Sequence, residues 1–301
     1  MFKYLILMLM GLGSGMALAD CSDVQVDAAR LGAIRNQGVS GLCFAYQAAD
    51  LISYKFGQRV SALDLAIHYL RATHGHGLRS VYKGGGDESP ALETGKQIGF
   101  CDESDLPSEE DKVDVNNMPL TKIYGSLKKL EEKDWQNRNA FSLAKNIFPL
   151  ITRSDFEEAL QQSSERHRIF FLQERTCHHR YQFNQFEFTS LEVGKDHSSA
   201  QVIERLDQQL ELKNLVGLDF NSRDIYLPLR KPIDHLDPEF VHAVTITGRR
   251  WNMNKGTCQY EIRDNFGSQC EVYQEGYDCH EGYLWVDRQF LEKNMLGIGF
   301  L

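Results

Sequence analysis

Apolar residues set the first rhythm of this chain. From Cys43 to Gly57 they recur at helical spacing, with Ala48, Ala49, Leu51 and Ile52 in the run, and that period predicts a helix. A second helix is predicted over residues 62–72, where Leu63, Ala66, Ile67 and Leu70 share one face. The chain then turns glycine-rich at Gly84, Gly85 and Gly86. Ser89 and Pro90 lead into a short helix through Leu92 to Ile98, closed by Gly99. Residues 101–117 are acidic and polar and read as loop.

The middle of the chain, residues 120–214, is less periodic. Ser154 with Glu157 three residues on reads as a capping box ahead of Ala159 and Leu160, and a further helix is predicted over residues 199–212. Between them, Ile169–Leu172 and Phe183–Phe188 have the composition of short strands. The last third changes period. Val216–Phe220, His242–Thr247, Tyr260–Arg263 and Tyr283–Val286 are β-branched or aromatic and separated by turn residues. Helices early and strands late favour an α+β architecture over a doubly wound sheet.

The extreme N-terminus follows neither pattern. Lys3 precedes an apolar stretch from Tyr4 to Met10 and small residues ending at Ala17, Leu18 and Ala19, the layout of a signal peptide over residues 1–19. Cleavage there starts the mature protein at Asp20. The acidic Asp20 directly before Cys21 disfavours a lipoprotein. No later segment approaches the roughly 20 apolar residues of a spanning helix, so a secreted or periplasmic protein with no membrane attachment after signal removal is expected. A formal net charge of −9 argues against a nucleic-acid partner, because phosphate affinity comes from clustered Lys and Arg. Here Lys122, Lys128, Lys129 and Lys133 read as a solvated helix face.

Export gives the seven cysteines their meaning. Disulfides are the default in that compartment, and an odd count leaves one free thiol. Cys43 is the candidate. The text before it, Asn36-Gln37-Gly38-Val39-Ser40-Gly41-Leu42, is a small-residue turn leading into the predicted helix. A sulfur at a helix N-terminus is favoured as thiolate by the dipole and the free amides. The other six form an even set, in which Cys258 and Cys270 flank the turn around Asn265 and read as a local pair. His74, His76, Cys177, His178 and His179 were weighed as metal ligands, but their spacing is not that of a structural zinc site. No metal and no cofactor are expected.

A nucleophilic thiolate needs a base, and the base needs something to hold it. His242 opens one predicted strand and Asn265 follows another, and adjacent antiparallel strands would bring the two to the same sheet edge. With these residues in order, the sequence resembles the papain-like cysteine peptidases. Gln37 lies six residues before Cys43 and an aromatic follows it. Val241-His242-Ala243-Val244 is similar to the family's histidine segment and Asp264-Asn265-Phe266-Gly267 to its asparagine segment. Gly85 and Gly86 resemble the glycine pair that binds substrate backbone, and Gly282-Tyr283-Leu284-Trp285 the closing strand. The resemblance covers residues 27–107 and 214–300.

The resemblance implies a two-lobe fold, with an N-terminal helical lobe, a C-terminal antiparallel β-barrel-like lobe and the active site in the cleft between them. It divides the chain into residues 20–119 with the nucleophile, an insert over 120–213, and 214–301 with His242 and Asn265. It implies peptide hydrolysis through an acyl-enzyme, with Asn265 accepting from the imidazole and Gln37 joining the Cys43 amide in an oxyanion hole. A peptide or protein is the implied substrate, and an inhibitor or regulatory partner is allowed for. Phe240 and Val241 beside the histidine suggest an apolar substrate pocket. Leu42, Phe44 and Phe266 depart from the family's usual residues. Cys43 stands 24 residues into the mature chain, which leaves no room for an N-terminal propeptide, and the 199 residues from Cys43 to His242 exceed the usual about 130 to 150 by the insert. Two other readings use the same residues: an amidase or transpeptidase acting on cell-wall or other non-protein amides, and a catalytically silent binding protein.

Overall fold

Cys43–Phe56 (α1) is a helix buried on nearly every side along its first three turns. In the computed structural model, which describes residues 21–38, 40–73, 77–78, 80–81, 85–109, 122–133, 135–226 and 241–301, this helix stands between a helical cluster and a sheet. The signal peptide, Gly84, His74, His76 and Phe240 lie outside the described residues. Ala62–Thr73 (α2) and Glu88–Ile98 (α3) follow. The latter begins four residues earlier than its apolar run, because the Asp87 side chain caps it by accepting from the Ser89 amide.

Lys122–Lys133 (α4), Ala140–Ile147 (α5), Arg153–Leu160 (α6) and Glu165–Thr176 (α7) make the middle of the chain helical. Two expectations change here. The capping box belongs to Thr152 and Asp155 rather than Ser154 and Glu157, because Thr152 is the residue with extended backbone and a hydroxyl free to receive the Asp155 amide. Ile169–Leu172 is helix, not strand. Ser164 caps α7, and Ile169, Leu172, Gln173 and Thr176 then bury on one face at spacings of three and four. Residues 183–188 are likewise not a strand: Phe183 and Phe186 pack their rings against Phe56 and Phe100. Flanking them are Arg180–Tyr181 (β3) and Thr189–Glu192 (β4).

The sheet collects Val24–Gln25 (β1), β4, Val216–Asn221 (β5), Val241–Asn252 (β6), Thr257–Arg263 (β7), Asp278–His280 (β8), Tyr283–Asp287 (β9) and Met295–Phe300 (β10). Its order is β4-β10-β5-β6-β7-β9-β8, with β1 on the far half of β6, and every pairing is antiparallel. Among the described residues this sheet does not close on itself, so the barrel expectation is not met by the described strands. Ser199–Glu211 (α8) and Arg288–Asn294 (α9) accompany it. Phe100–Cys101 (β2) pairs separately with β3. The result is the mixed helix and antiparallel sheet architecture that the order of periodicities predicts.

Three disulfides tie Cys21 to Cys258, Cys101 to Cys177 and Cys270 to Cys279, leaving Cys43 free. The expected Cys258–Cys270 pair is corrected. Cys258 stands at the beginning of β7 and Cys270 beyond its end, and at roughly 3.3 Å per residue a strand separates them far beyond bridging distance. Cys258 instead meets Cys21, just ahead of β1, and Cys177 is consumed by Cys101.

Asp50 joins α1 to the sheet. Both arginines it meets are buried: Arg35 donates to Oδ1, and Arg263 Nε donates to Oδ2 at 3.1 Å from the end of β7. Arg263 also reaches the Gly32 and Ala33 carbonyls and the Tyr283 hydroxyl. Removing one partner of a buried ion pair leaves an uncompensated charge and costs about 3 to 5 kcal/mol. Asp50→Ala is therefore expected to lower the unfolding free energy by about that amount in denaturant titration. A loss below about 1 kcal/mol would show that the three groups are not coupled.

Candidate active site

Cys43 occupies the first position of α1, and Leu42 before it places no side chain over the opening amides of the helix. Those amides and the positive end of the dipole face the thiol region, which is partly exposed. Positions four and seven along the same face are Gln47 and Asp50. Gln47 Nε2 donates to the Val244 carbonyl at 2.9 Å and to Asp219 Oδ1 at 3.3 Å, so this polar stripe aims the start of the helix at β5 and β6.

Two loops complete the approach. The Gln37 amide donates to the Asn265 carbonyl at 2.7 Å and the Gly267 amide to the Arg35 carbonyl at 3.0 Å, while Asn36 and Phe266 form a bridge. The chain after β7 is thereby laid against the turn before Cys43. Gln37 is buried, its Nε2 donating to the Ser40 carbonyl at 2.8 Å and its Oε1 without a partner among the described residues. One amide hydrogen remains after that bond. On the other side, Gly85 holds φ +74° and its missing Cβ faces the Gly41 carbonyl at 3.4 Å. A Cβ on Gly86 would strike the Phe44 ring at 2.6 Å, so only glycine lets this segment lie against the helix start.

His242 lies near the beginning of β6, opposite Phe220 of β5. Its ring stacks on Phe266 with centroids 5.3 Å apart and planes 11° from parallel, and the rings of Tyr226 and Phe220 meet it edge-on. Nε2 is 3.0 Å from Asp264 Oδ1. The imidazole thus has a different partner from the one the resemblance implies. Asn265 turns its Nδ2 to the Ala243 carbonyl at 2.7 Å and toward the Cys43 carbonyl at 3.5 Å, bracing β6 against the helix start. With Nε2 on the carboxylate, Nδ1 is the ring nitrogen not engaged by Asp264, and Cys43 is near enough to act on the charge of the ring.

Asp264 is fully surrounded. Beyond the imidazole, its Oδ1 accepts from the Asn265 amide at 2.6 Å, and its Oδ2 accepts from the Tyr226 and Tyr273 hydroxyls at 2.6 and 2.9 Å. Burial is the largest influence and opposes ionisation, but the imidazole's charge and these hydrogen bonds outweigh it and hold the carboxyl below its usual range. For His242 burial also works against the charged form. Asp264, by charge and by hydrogen bond, and then Cys43 reverse this and raise its pKa to about 10. The site holds a buried imidazolium and carboxylate at neutral pH.

The remaining expected positions fall around this pair. Val241 is 51% exposed. Two carboxyls that the sequence did not single out lie around the start of α1: Glu88, near enough to Cys43 and Asp219 for their charges to act on it, and Asp219, which accepts from Gln47. Asp264, Tyr226 and Tyr273 were also missed. Asp264 had one signal, as the other polar side chain at the end of β7 next to Asn265.

No protein-family model matches the chain, and no curated protein matches it. Solved structures do resemble it at low identity. They include digestive procathepsin L 3 of the Tenebrio molitor larval midgut, 11% identical with TM-score 0.48 over 94% of this chain and 71% of that one. Xylellain, a cysteine protease from Xylella fastidiosa, is 17% identical with TM-score 0.48 over 91% and 84%. SERA5E from Plasmodium falciparum is 12% identical with TM-score 0.49 over 95% and 92%. At these scores the reading of the site rests on its own geometry.

The ion pair makes a pH prediction. A histidine whose pKa is raised above its ordinary 6.5 to about 10 stabilises the fold fully below about pH 6.5, and that contribution is lost as pH rises through about 10. Imidazole nitrogen NMR is expected to show His242 doubly protonated at pH 8 and titrating near 10, with Asp264→Asn lowering the midpoint. A ring already neutral at pH 8 would contradict the pairing.

Proposed function

We propose that this protein is an exported cysteine peptidase of the papain-like type, working in a cleft between its helical and sheet regions. The observations that carry the reading are the free thiol at the mouth of α1 and, near enough to act with it, an imidazole whose Nε2 is fixed on a buried carboxylate. Pairing with an imidazolium favours a thiolate, the form that attacks carbonyl carbon. In the proposed reaction Cys43 Sγ adds to the scissile carbonyl. The imidazolium gives its Nδ1 proton to the departing amine, and the neutral ring then takes a proton from the water that cleaves the thioester.

Asp264 is assigned the orienting role, holding the ring by Nε2 and balancing its charge. Asn265 is assigned a positioning role through the Ala243 and Cys43 carbonyls. The Cys43 amide and the free Gln37 amide hydrogen are the proposed donors to the developing oxyanion. Export is supported by three disulfides, which persist in oxidising compartments. Cys21, whose sulfur is bonded to Cys258, is unavailable for lipid attachment in this form. No helix among the described residues is long and apolar enough to cross a membrane.

The test is covalent labelling. An epoxide or chloromethyl ketone probe in reducing buffer is expected to modify Cys43, read by peptide mass mapping. Cys43→Ala should abolish cleavage of a peptide panel, while His242→Ala should cost about 10² to 10⁴ in kcat and Gln37→Ala about 10² to 10³. An unmodified Cys43 would sink the nucleophile assignment. Labelling without peptide cleavage would move the reading to an amidase or transpeptidase of non-protein amides.

A further inference from the structure

Near the thiol lie two carboxyl groups, Glu88 and Asp219, that form no ion pair among the described residues. Glu88 is the first residue of α3 and is only 8% exposed. A carboxylate at a helix N-terminus is favourable in itself, but such residues ordinarily sit in water, and this one is buried. Apart from its own backbone amide, its carboxylate has no hydrogen-bond donor and no ion-pair partner among the described residues. The groups close enough to act on its charge are Asp219, Asp87 and Cys43, each an acid.

The fold explains how they meet. Gly217 and Asp219 alternate on one face of β5, and that face lies on α1, since a Cβ on Gly217 would be 2.7 Å from the Gln47 side chain. Asp219 is therefore directed at the turn of helix that follows Cys43, where Gln47 donates to it. Gly85 and Gly86 lie against Gly41 and Phe44 at the other side of the helix start, which carries Glu88 to the same place. His242 acts on Asp219 as well, but its hydrogen-bonded anionic partner is Asp264.

The two carboxyls respond as uncompensated neighbours do. Burial, then the proximity of Asp219, pushes Glu88 well above the carboxylate range. Asp219 is raised to about 6, first by burial, with Asp87 and Glu192 adding to the rise and the Gln47 hydrogen bond and His242 opposing it. Two carboxyls in one site resist ionising together until a cation joins them.

Resting on the peptidase reading above, we infer that Glu88 and Asp219 form a subsite beside Cys43 that recognises the ammonium or guanidinium of a lysine- or arginine-like substrate side chain. A cation entering there meets two acids, one buried and one half-buried, where a charge-assisted contact is worth more than at the open surface.

The experiment is a positional scan with peptide amides carrying lysine, norleucine or glutamate at each residue flanking the scissile bond. At one position lysine is expected to exceed norleucine in kcat/KM by about 10- to 100-fold, with glutamate poorest. Glu88→Gln should bring the lysine-to-norleucine ratio toward one, and Asp219→Asn should do the same if Glu88→Gln fails to fold. In parallel, calorimetry on Cys43→Ala measures binding of the lysine and norleucine peptides without chemistry, with and without Glu88→Gln. Equal lysine and norleucine at every position in both measurements would overturn the subsite. Lysine-selective binding that is lost in Glu88→Gln, alongside an unlabelled Cys43, would instead retain the subsite and reject the peptidase reading.

Discussion

Asp50 is the carboxylate on which the geometry of the site depends. It lies seven residues beyond Cys43 on the same face of α1, and it is gripped by Arg35 from the turn before the helix and by Arg263 from the last residue of β7. One buried acid thus fixes the distance between the segment carrying Gln37 and Cys43 and the strand end carrying Asp264 and Asn265. Charges this deep are stable only when paired, so each of the three groups specifies the position of the other two. Gln47, between Cys43 and Asp50, adds a contact to the Val244 carbonyl, and this polar stripe runs beside Leu51, which packs into the apolar core of the sheet.

That arrangement leaves two electrostatic environments a few residues apart. Asp264 has an imidazolium, two phenol hydroxyls and a backbone amide for four acceptor positions, and it ionises despite its burial. Glu88 has its own backbone amide and Asp219 has Gln47 and the more distant His242, and neither forms an ion pair among the described residues. The contrast between a satisfied and an unsatisfied carboxylate divides the proposed chemistry into a part complete within the chain and a part that a ligand would complete.

The long helices were legible because their apolar spacing sustains a 3.6-residue period over several turns, as in α1, α2 and α8, and because Ser198 supplies a capping box for the last. The four late strands were legible from β-branched and aromatic alternation. Middle elements failed where short apolar runs carry no period. Ile169–Leu172 fits strand or helix equally until Ser164 and Gln173 are seen in place, Gln173 donating to buried Asp64 at 2.6 Å. The partner of His242 was illegible for a related reason. β6 and β7 shift register between Ile246 and Gly248, and a shift of one residue decides which of two consecutive polar side chains meets the imidazole.

By itself, the sequence determined the order of helices before strands, the free thiol at a helix mouth and the presence of a histidine and polar partners at the ends of two strands, because these follow from local period, cysteine parity and turn chemistry. Only the tertiary structure decided that Asp264 rather than Asn265 holds the imidazole, that Cys258 bonds Cys21, and that buried Glu88 and half-buried Asp219, 131 residues apart, meet near the start of α1. Those outcomes depend on register, strand length and the loss of water between distant segments, and none of these is a property of any short stretch of chain.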